Sequence, residues 1–292
     1  MFFHLILTSE CNLQCRYCYG GAINSIGGDF GFDVDYALPP KIAYDISGLK
    51  KFIEKDPECS IIFYGGEPLL CIEEIVKVMD DVNAKNFLVQ TNGILLHKLP
   101  EEYLKRLHTI LISIDGGEAV TDRHRGEGCW RKVIENLRLV RERGFGGEII
   151  ARMTVMEGVD IYQEVRWLVE NDVFPFSSVH WQLNAGFWND FSERDFERWV
   201  RESYNPGIEK LASYWVERME EGKVLRLYPF VGVTQSLLLS EKSRLRCGAG
   251  WANYAIQTDG HIVPCPCMWG MREFYLGHIS SSHPLKLRRV DV

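Results

Sequence analysis

The sequence contains no run of apolar residues long enough to cross a membrane, and no block of lysines and arginines. Its 33 basic and 40 acidic side chains give a formal net charge of −7. A membrane span needs about 20 apolar residues, and a phosphate backbone is held mainly by basic side chains. We therefore expect neither a membrane nor a nucleic acid as a partner.

The usual marks of secretion are also missing. The first residues carry no basic segment, and the apolar run at residues 2–7 is too short for a signal peptide. The nine cysteines are odd in number and clustered. We therefore predict a cytoplasmic protein whose clustered cysteines bind metal rather than form disulfides. Lone cysteines are commonly buried free thiols, which is our interpretation of Cys59, Cys71 and Cys129.

Three cysteines, Cys11, Cys15 and Cys18, follow the apolar run at residues 2–7 in the spacing C-x-x-x-C-x-x-C. Three thiolates from one loop can hold three irons of a [4Fe–4S] cluster, which leaves one iron open to a ligand. A structural zinc site or disulfide half-cystines are the alternatives. Zinc usually takes paired cysteines and a fourth ligand, so the spacing favours the cluster.

Apolar, strand-like segments alternate with helix-like segments at steady spacing over the first 184 residues. Such alternation predicts an α/β fold with a parallel sheet and right-handed crossovers. Six units indicate a partial, open (β/α)6 barrel of the TIM type, whose active face lies at the carboxyl ends of the strands. Strands are predicted at residues 2–7, 60–64, 86–90, 109–114, 148–155 and 178–183. Helices are predicted at about 40–55, opened by Pro39-Pro40, and at 69–82, 99–107, 130–143 and 161–171.

Glycines and polar side chains follow these strands at the predicted active face. A glycine pair lets a backbone approach a ligand closely, hydroxyls and carboxylates can bind ribose, and a guanidinium can hold a carboxylate through two bonds. A plain turn at Thr91-Asn92-Gly93 and a salt bridge at Arg152 remain alternatives. The predicted cofactor-binding residues are Gly65, Gly66, Glu67, Pro68, Thr91, Asn92, Ser113, Asp115 and Arg152.

The cysteine spacing resembles the signature of the radical S-adenosylmethionine (radical SAM) enzymes. This resemblance implies that the open iron chelates the amino and carboxylate groups of the methionine moiety. It also implies that the reduced cluster cleaves the sulfonium to a 5′-deoxyadenosyl radical, and that Tyr17 lies near the adenine. The Gly-Gly-Glu-Pro segment would contact the amino group.

The alternation stops after Asn184, which divides the chain into residues 1–184, a helical bridge at 185–245 and a C-terminal part at 246–292. In the bridge, Ser192-x-x-Asp195 is typical of a capping box that opens a helix. We predict that Pro206-Gly207 ends this helix and that a second helix runs to Gly222. The aromatic residues of both helices are interpreted as packing between domains.

Cys247, Cys265 and Cys267 form a second cysteine set in the C-terminal part. Residues 255–257 and 261–263 predict a hairpin with Asp259-Gly260 in its turn. The spacing of Cys247, Gly260 and Cys265 resembles the auxiliary-cluster domain, called SPASM or in its shorter form twitch, of peptide-modifying radical enzymes. No cysteine follows Cys267, so the site is either a three-cysteine twitch type or part of a truncated longer enzyme, and the second reading is favoured. A zinc clip is the alternative.

We predict that these three sulfurs share one metal, because thiolates held close together repel unless a cation neutralises them.

The leading hypothesis is a radical SAM enzyme that modifies a peptide or protein side chain and takes electrons from a reducing donor. One alternative acts on a small molecule in cofactor biosynthesis. Another is a non-catalytic iron–sulfur or zinc protein that carries electrons or serves as a scaffold, which the Gly-Gly-Glu-Pro segment argues against. No residue is identified as a general acid or base.

Overall fold

The computed structural model describes residues 1–20, 32–184, 186, 193–240 and 245–287. Within these residues one mixed sheet holds nine strands in the order β6-β5-β4-β3-β2-β1-β7-β8-β9. The strands are β1 (Phe2–Thr8), β2 (Ser60–Gly65), β3 (Asn86–Thr91), β4 (Leu107–Ser113), β5 (Glu148–Val155), β6 (Ser178–Leu183), β7 (Asn253–Ile256), β8 (His261–Val263) and β9 (Gly277–His278).

Strands β1 to β6 run parallel, each beside the next. Parallel strands are covered on both faces, and this is why they are recognisable as nearly continuous apolar runs. Phe3, Leu5, Ile61, Phe63 and Ile110 are almost fully buried. The six predicted strands are confirmed, and so is the α/β partial barrel.

Nine α-helices are described in the same part of the chain, and none is long and apolar enough to cross a membrane. In α2, for example, Ile75, Val78 and Met79 are buried at helical spacing, so one face packs on the barrel. The helices are α1 (Ile46–Ile53), α2 (Ile72–Asp81), α3 (Glu101–Arg106), α4 (Glu118–Arg125), α5 (Cys129–Glu142), α6 (Ile161–Glu170), α7 (Phe196–Trp199), α8 (Asn205–Glu220) and α9 (Tyr228–Leu238).

The prediction that Pro39-Pro40 opens the first helix is wrong. α1 begins at Ile46 because the Asp45 side chain accepts the backbone N–H of Ser47 and caps the helix. The Pro40 carbonyl instead accepts the backbone N–H of Ser9 at 2.9 Å and the hydroxyl of Thr8 at 2.8 Å. This segment therefore packs against the start of the cysteine loop.

Two other predicted helices are shorter than expected. The segment at 69–82 is divided at Cys71 into a 3-10 turn, Pro68–Leu70, and α2. The segment at 99–107 reduces to α3, because Leu107 already belongs to β4. Helix α4 was not predicted, since its sequence is mostly polar and charged.

Pro206 and Gly207 do not end a helix, contrary to the prediction. α7 continues through a π-helical turn, Val200–Tyr204, into α8, and both residues lie in the first turn of α8. Proline lacks the N–H that would continue the α-helical ladder, and the π-helical turn directly before it is a local change in that ladder. A Cβ on Gly207 would stand 2.7 Å from Cγ2 of Ile161, so the missing side chain lets α8 pack on α6. Ser192 of the predicted capping box lies outside the described residues.

The C-terminal strands join the barrel sheet. β7 pairs in parallel with β1, from Phe2 opposite Asn253 to Leu5 opposite Ile256. β8 then pairs antiparallel with β7, which confirms the predicted hairpin, and β9 pairs with β8. Gly260 in the turn has φ +96°, a conformation that favours glycine. The hairpin therefore lies beside the strand that leads into the cysteine loop.

Candidate active site

The first cysteine loop leaves the carboxyl end of β1 and contributes to one cleft at that end of the sheet. Cys11 is exposed, and Cys15 and Cys18 are partly buried. The N–H of Leu13 donates to Cys11 Sγ at 3.4 Å. The described residues that line the cleft are Cys11, Leu13, Cys15, Tyr17, Cys18, Tyr19, Tyr64, Gly65, Gly66, Gln90, Thr91, Asn92, Ser113, Arg125, Arg152, Thr154, Gln182, Leu183, Asn184 and Cys267.

Gly65 and Gly66 line this cleft. They allow the end of β2 to pack closely against the backbone of Thr8 and Glu10. The N–H of Gly66 donates to the Thr8 carbonyl at 2.7 Å. A Cβ would stand 2.3 Å from the Thr8 oxygen at Gly65, and 2.1 Å from the Glu10 oxygen at Gly66. Only glycine therefore lets β2 end against the residues that precede Cys11.

Glu67 and Pro68 do not line the cleft, which corrects their predicted place at its rim. Both are buried, and Pro68 begins the short turn after β2. The Glu67 carboxylate accepts the hydroxyl of Thr91 at 2.7 Å and the backbone N–H groups of Leu69 at 3.0 Å and Asn92 at 2.8 Å. Burial raises the pKa of Glu67 to about 7, although these three donors act in the opposite direction. Glu67 thus joins the turn after β2 to the turn after β3.

The side chain of Asn92 points toward the cysteine loop. Its Nδ2 donates to Asn12 Oδ1 at 2.8 Å and lies 3.8 Å from Cys11 Sγ. Gly93 follows with φ +83°, so this segment is a turn as well as part of the cleft. Thr91-Asn92-Gly93 can therefore be a turn and also contain residues that bind the cofactor.

Asp115 is fully engaged inside the protein, contrary to the prediction that it binds ribose. Its exposed fraction is 1%, and Arg125 donates to its two oxygens at 2.9 and 3.0 Å. The hydroxyl of Tyr17 donates to Oδ2 at 2.5 Å, and the N–H of Thr154 to Oδ1 at 3.0 Å. With its oxygens occupied in this way, Asp115 positions Tyr17 rather than a ligand.

Tyr17 itself lines the cleft. The Arg125 guanidinium lies 5.3 Å from the centre of its ring, within the range of a cation–π contact. Burial raises the pKa of Tyr17 well above its usual value, so the phenol stays protonated and donates to Asp115. Arg125 was missed in the sequence because no pattern ties it to Asp115 before the fold is known.

Ser113 and Arg152 are neighbours on paired strands, and both line the cleft. The guanidinium of Arg152 donates to His180 Nδ1 at 2.9 Å and to Gln182 Oε1 at 2.7 Å. Burial, together with the Arg152 charge, lowers the pKa of His180 to about 4. No carboxylate of the described chain pairs with Arg152 in the cleft, so its charge is available to a ligand.

The second cysteine set reaches the same cleft through Cys267. The interaction between the neighbouring thiols of Cys265 and Cys267 lowers the pKa of Cys265 and raises that of Cys267. Cys247 is exposed and close enough to add to the shift at Cys267. Tyr19 and Tyr64, whose hydroxyl oxygens are 3.5 Å apart, line the cleft as well. Tyr19 and Tyr64 were not predicted as site residues from the sequence. Their positions next to Cys18 and Gly65 in the sequence could have identified them.

Within the described ranges, no three His, Cys, Asp or Glu side chains are grouped as the ligands of a single metal ion, so Cys247, Cys265 and Cys267 are not gathered around one metal as predicted. In a cubic cluster each thiolate binds a different iron, so its sulfurs stand further apart than ligands around one ion. The first cysteine set suits such a cluster. Its three sulfurs face a cleft whose described lining has two cationic and no acidic side chains, and N–H groups point at the Cys11 sulfur.

Comparison with known proteins identifies a family whose cofactor is the cluster that the first cysteine set suits. A profile of the Radical SAM superfamily matches residues 5–166. The chain is 23% identical over 290 residues to the cysteine-type anaerobic sulfatase-maturating enzyme of Clostridium perfringens (strain 13 / Type A), covering 93% of this chain and 75% of that one. It is 35% identical over 112 residues to a probable GTP 3′,8-cyclase of Methanocaldococcus jannaschii, covering 37% of this chain and 34% of that one.

Two solved structures share the fold over 97% of this chain. Native anSMEcpe with bound AdoMet superposes with a TM-score of 0.72 at 20% identity, over 79% of its own length. Streptococcus suis SuiB bound to precursor peptide SuiA superposes with a TM-score of 0.61 at 15% identity, over 63% of its length. The profile spans more than half of the chain and includes the cysteine loop. The chain therefore belongs to the radical SAM superfamily and is an enzyme whose cofactors are a [4Fe–4S] cluster and S-adenosylmethionine.

Proposed function

We propose that this enzyme modifies a peptide or protein side chain by reductive cleavage of S-adenosylmethionine at the Cys11, Cys15 and Cys18 cluster. The observation that carries the proposal is the shared cleft, which joins the first cysteine loop to Cys267 of the C-terminal hairpin. A substrate in this cleft would contact both cysteine sets. The 5′-deoxyadenosyl radical that the bound cofactors supply would abstract hydrogen from a substrate carbon.

The extent of the matches supports a peptide or protein as substrate. The match to the sulfatase-maturating enzyme covers 93% of this chain, and the superposition on SuiB, solved with a precursor peptide, covers 97%. The match to the probable GTP cyclase, which would represent a small-molecule substrate, covers only 37%. The agreement over both the barrel and the C-terminal part thus favours peptide modification.

Different residues of the cleft would contact different parts of the bound cofactor and substrate. Tyr17, held by Asp115, would lie against the nucleoside, and Arg152 would offer its charge to a carboxylate. Ser113 and Gln182 would add polar contacts. Cys247, Cys265 and Cys267 would hold an auxiliary iron–sulfur cluster, since Cys265 and Cys267 are two residues apart and Cys267 lines the cleft.

Isotope transfer can test the substrate class before the substrate is known. The reconstituted enzyme is incubated anaerobically with S-adenosylmethionine, dithionite and an extract of perdeuterated cells of the source organism. The extract is first desalted into a macromolecular and a low-molecular-weight fraction. Deuterium in 5′-deoxyadenosine, measured by mass spectrometry, reports hydrogen abstraction from a substrate. A variant with Cys11, Cys15 and Cys18 replaced by Ala is the control.

We expect deuterium transfer from the macromolecular fraction, and its loss after treatment of that fraction with protease. Transfer from the low-molecular-weight fraction that resists protease would replace the proposal with a small-molecule substrate. Formation of only unlabelled 5′-deoxyadenosine with both fractions would overturn hydrogen abstraction from any cellular substrate.

A further inference from the structure

The side-chain amide of Asn92 is held in one orientation. The backbone N–H of Ile94 donates to Asn92 at 3.0 Å, and an N–H group can only be received by the amide oxygen. The opposite end of the amide, which carries the two donors, must therefore be the end that faces Asn12 and Cys11. One donor is used by Asn12 Oδ1 at 2.8 Å, and Cys11 Sγ lies 3.8 Å from the same nitrogen.

The backbone at Asn92 is anchored as firmly as its side chain. Its N–H donates to the buried Glu67 carboxylate at 2.8 Å, and the same carboxylate accepts the hydroxyl of Thr91. The N–H of Glu67 donates in turn to the Glu10 carbonyl, next to Cys11, at 2.8 Å. A closed series of hydrogen bonds thus connects Glu67, Asn92 and the residues around Cys11.

We propose that Asn92 donates a hydrogen bond to the Cys11 thiolate of the bound cluster and raises the reduction potential of that cluster. Glu67 is a positioning residue that holds Asn92 for this contact. The inference rests on the cofactor and on no particular substrate. It assigns Asn92, in the turn after β3, a hydrogen bond to the cysteine sulfur that binds the cluster.

The physical reason is electrostatic. Adding an electron to an iron–sulfur cluster increases the negative charge on its thiolates, and an N–H dipole aimed at a sulfur stabilises that charge. A donor at Asn92 therefore stabilises the reduced cluster more than the oxidised one. Removing it must lower the potential and make the cluster harder to reduce.

The test is a redox titration of the holoenzyme followed by electron paramagnetic resonance. Asn92→Ala removes the donor. Asn92→Asp keeps the size and the oxygen that accepts the N–H of Ile94, but places a carboxylate oxygen beside the sulfur. Asn86→Ala and Asn86→Asp are the matched controls, since Asn86 lies at the other end of β3 and its amide donates to Ser60. Iron content is measured for every variant.

We expect a lower potential in Asn92→Ala, a still lower one in Asn92→Asp, and the wild-type value in both Asn86 variants. Glu67→Gln is not part of the test, because it also removes a negative charge close to Cys11 and so changes more than the position of Asn92. Wild-type potentials in the Asn92 variants would overturn the proposal. So would loss of the cluster from both Asn92 variants in a folded chain, because Asn92 would then be needed for assembly of the cluster rather than for its potential.

Discussion

Arg125 donates to both oxygens of the Asp115 carboxylate, and both side chains are almost completely buried, with exposed fractions of 6% and 1%. Burial disfavours the charged guanidinium, yet the Asp115 charge raises the pKa of Arg125. The pair ties the end of β4 to α4 and fixes the hydroxyl of Tyr17. Its energetics lead to the first prediction.

Asp115→Asn should lower the free energy of unfolding by about 3–5 kcal/mol, because it leaves a buried guanidinium without its counter-charge. Anaerobic urea unfolding measures the loss. The matched control is Asp80→Asn, which breaks an exposed Asp80–Arg106 pair and should cost at most about 1 kcal/mol. Equal costs for the two variants would mean that the buried pair contributes no more than a surface ion pair.

Gly66→Ala should reduce both cluster content and S-adenosylmethionine affinity. The new Cβ would stand 2.1 Å from the Glu10 oxygen, so the segment before Cys11 must move. Iron analysis and calorimetry measure the two losses. Gly48→Ala, in α1, is the control, because outside its own helical turn no atom lies within 4 Å of the added Cβ. Full iron content in Gly66→Ala would show that the cysteine loop tolerates this displacement.

Replacing Cys11, Cys15 and Cys18 together with Ala should abolish formation of 5′-deoxyadenosine, because no thiolate remains to hold the cluster. Liquid chromatography of the anaerobic reaction measures the product. Cys129→Ala removes a buried thiol and should leave the yield near that of the wild type. A normal yield from the triple variant would disprove the role of the loop.

Replacing Cys247, Cys265 and Cys267 with Ala should lower the iron content by about four atoms per chain, the number in one cubic cluster. The signal of the first cluster should remain. Iron analysis with electron paramagnetic resonance separates the two sites. Unchanged iron content would mean that the C-terminal cysteines hold no iron–sulfur cluster, and bound zinc would then support the zinc-clip alternative.

His180 should make the protein less stable as the pH falls. Its pKa is lowered to about 4 in the folded state, so the unfolded chain takes up the proton first, from about pH 6.5 downward. Stability is therefore present at neutral pH and lost on acidification, by about 2 kcal/mol between pH 7 and pH 5. His180→Gln, measured by urea unfolding at both pH values, should reduce this loss. The control His108→Gln, at an exposed site, should not.

Much of the barrel could be predicted because buried parallel strands are apolar throughout. Residues 148–155 and 178–183 were predicted with the same limits that the structure shows. Helix α4 was missed because its contacts are made by polar side chains such as Thr121 and Arg125, and polar residues leave no apolar periodicity. Proline at 206 was misjudged because the helix continues past it through a π-helical turn, which the sequence pattern does not reveal.

The site was harder to predict than the fold. Its residues were expected at the strand ends, and most of them line the cleft. Glu67, Pro68 and Asp115 do not. The carboxylates of Glu67 and Asp115 are buried among donors that come from other strands and from α4. Sequence spacing identifies which residues share an edge of the sheet, but partners such as Arg125 are selected only when the chain is packed.

Because β1 pairs with β7, one edge of β1 stays unpaired during synthesis until the ribosome has made β7. The first strand leads into the cysteine loop, yet its neighbour on one side begins only at Asn253. At roughly 5–20 residues per second, a ribosome takes roughly ten to fifty seconds to travel between them. During that interval one edge of β1 has no permanent partner, and an unpaired edge is prone to wrong strand pairing.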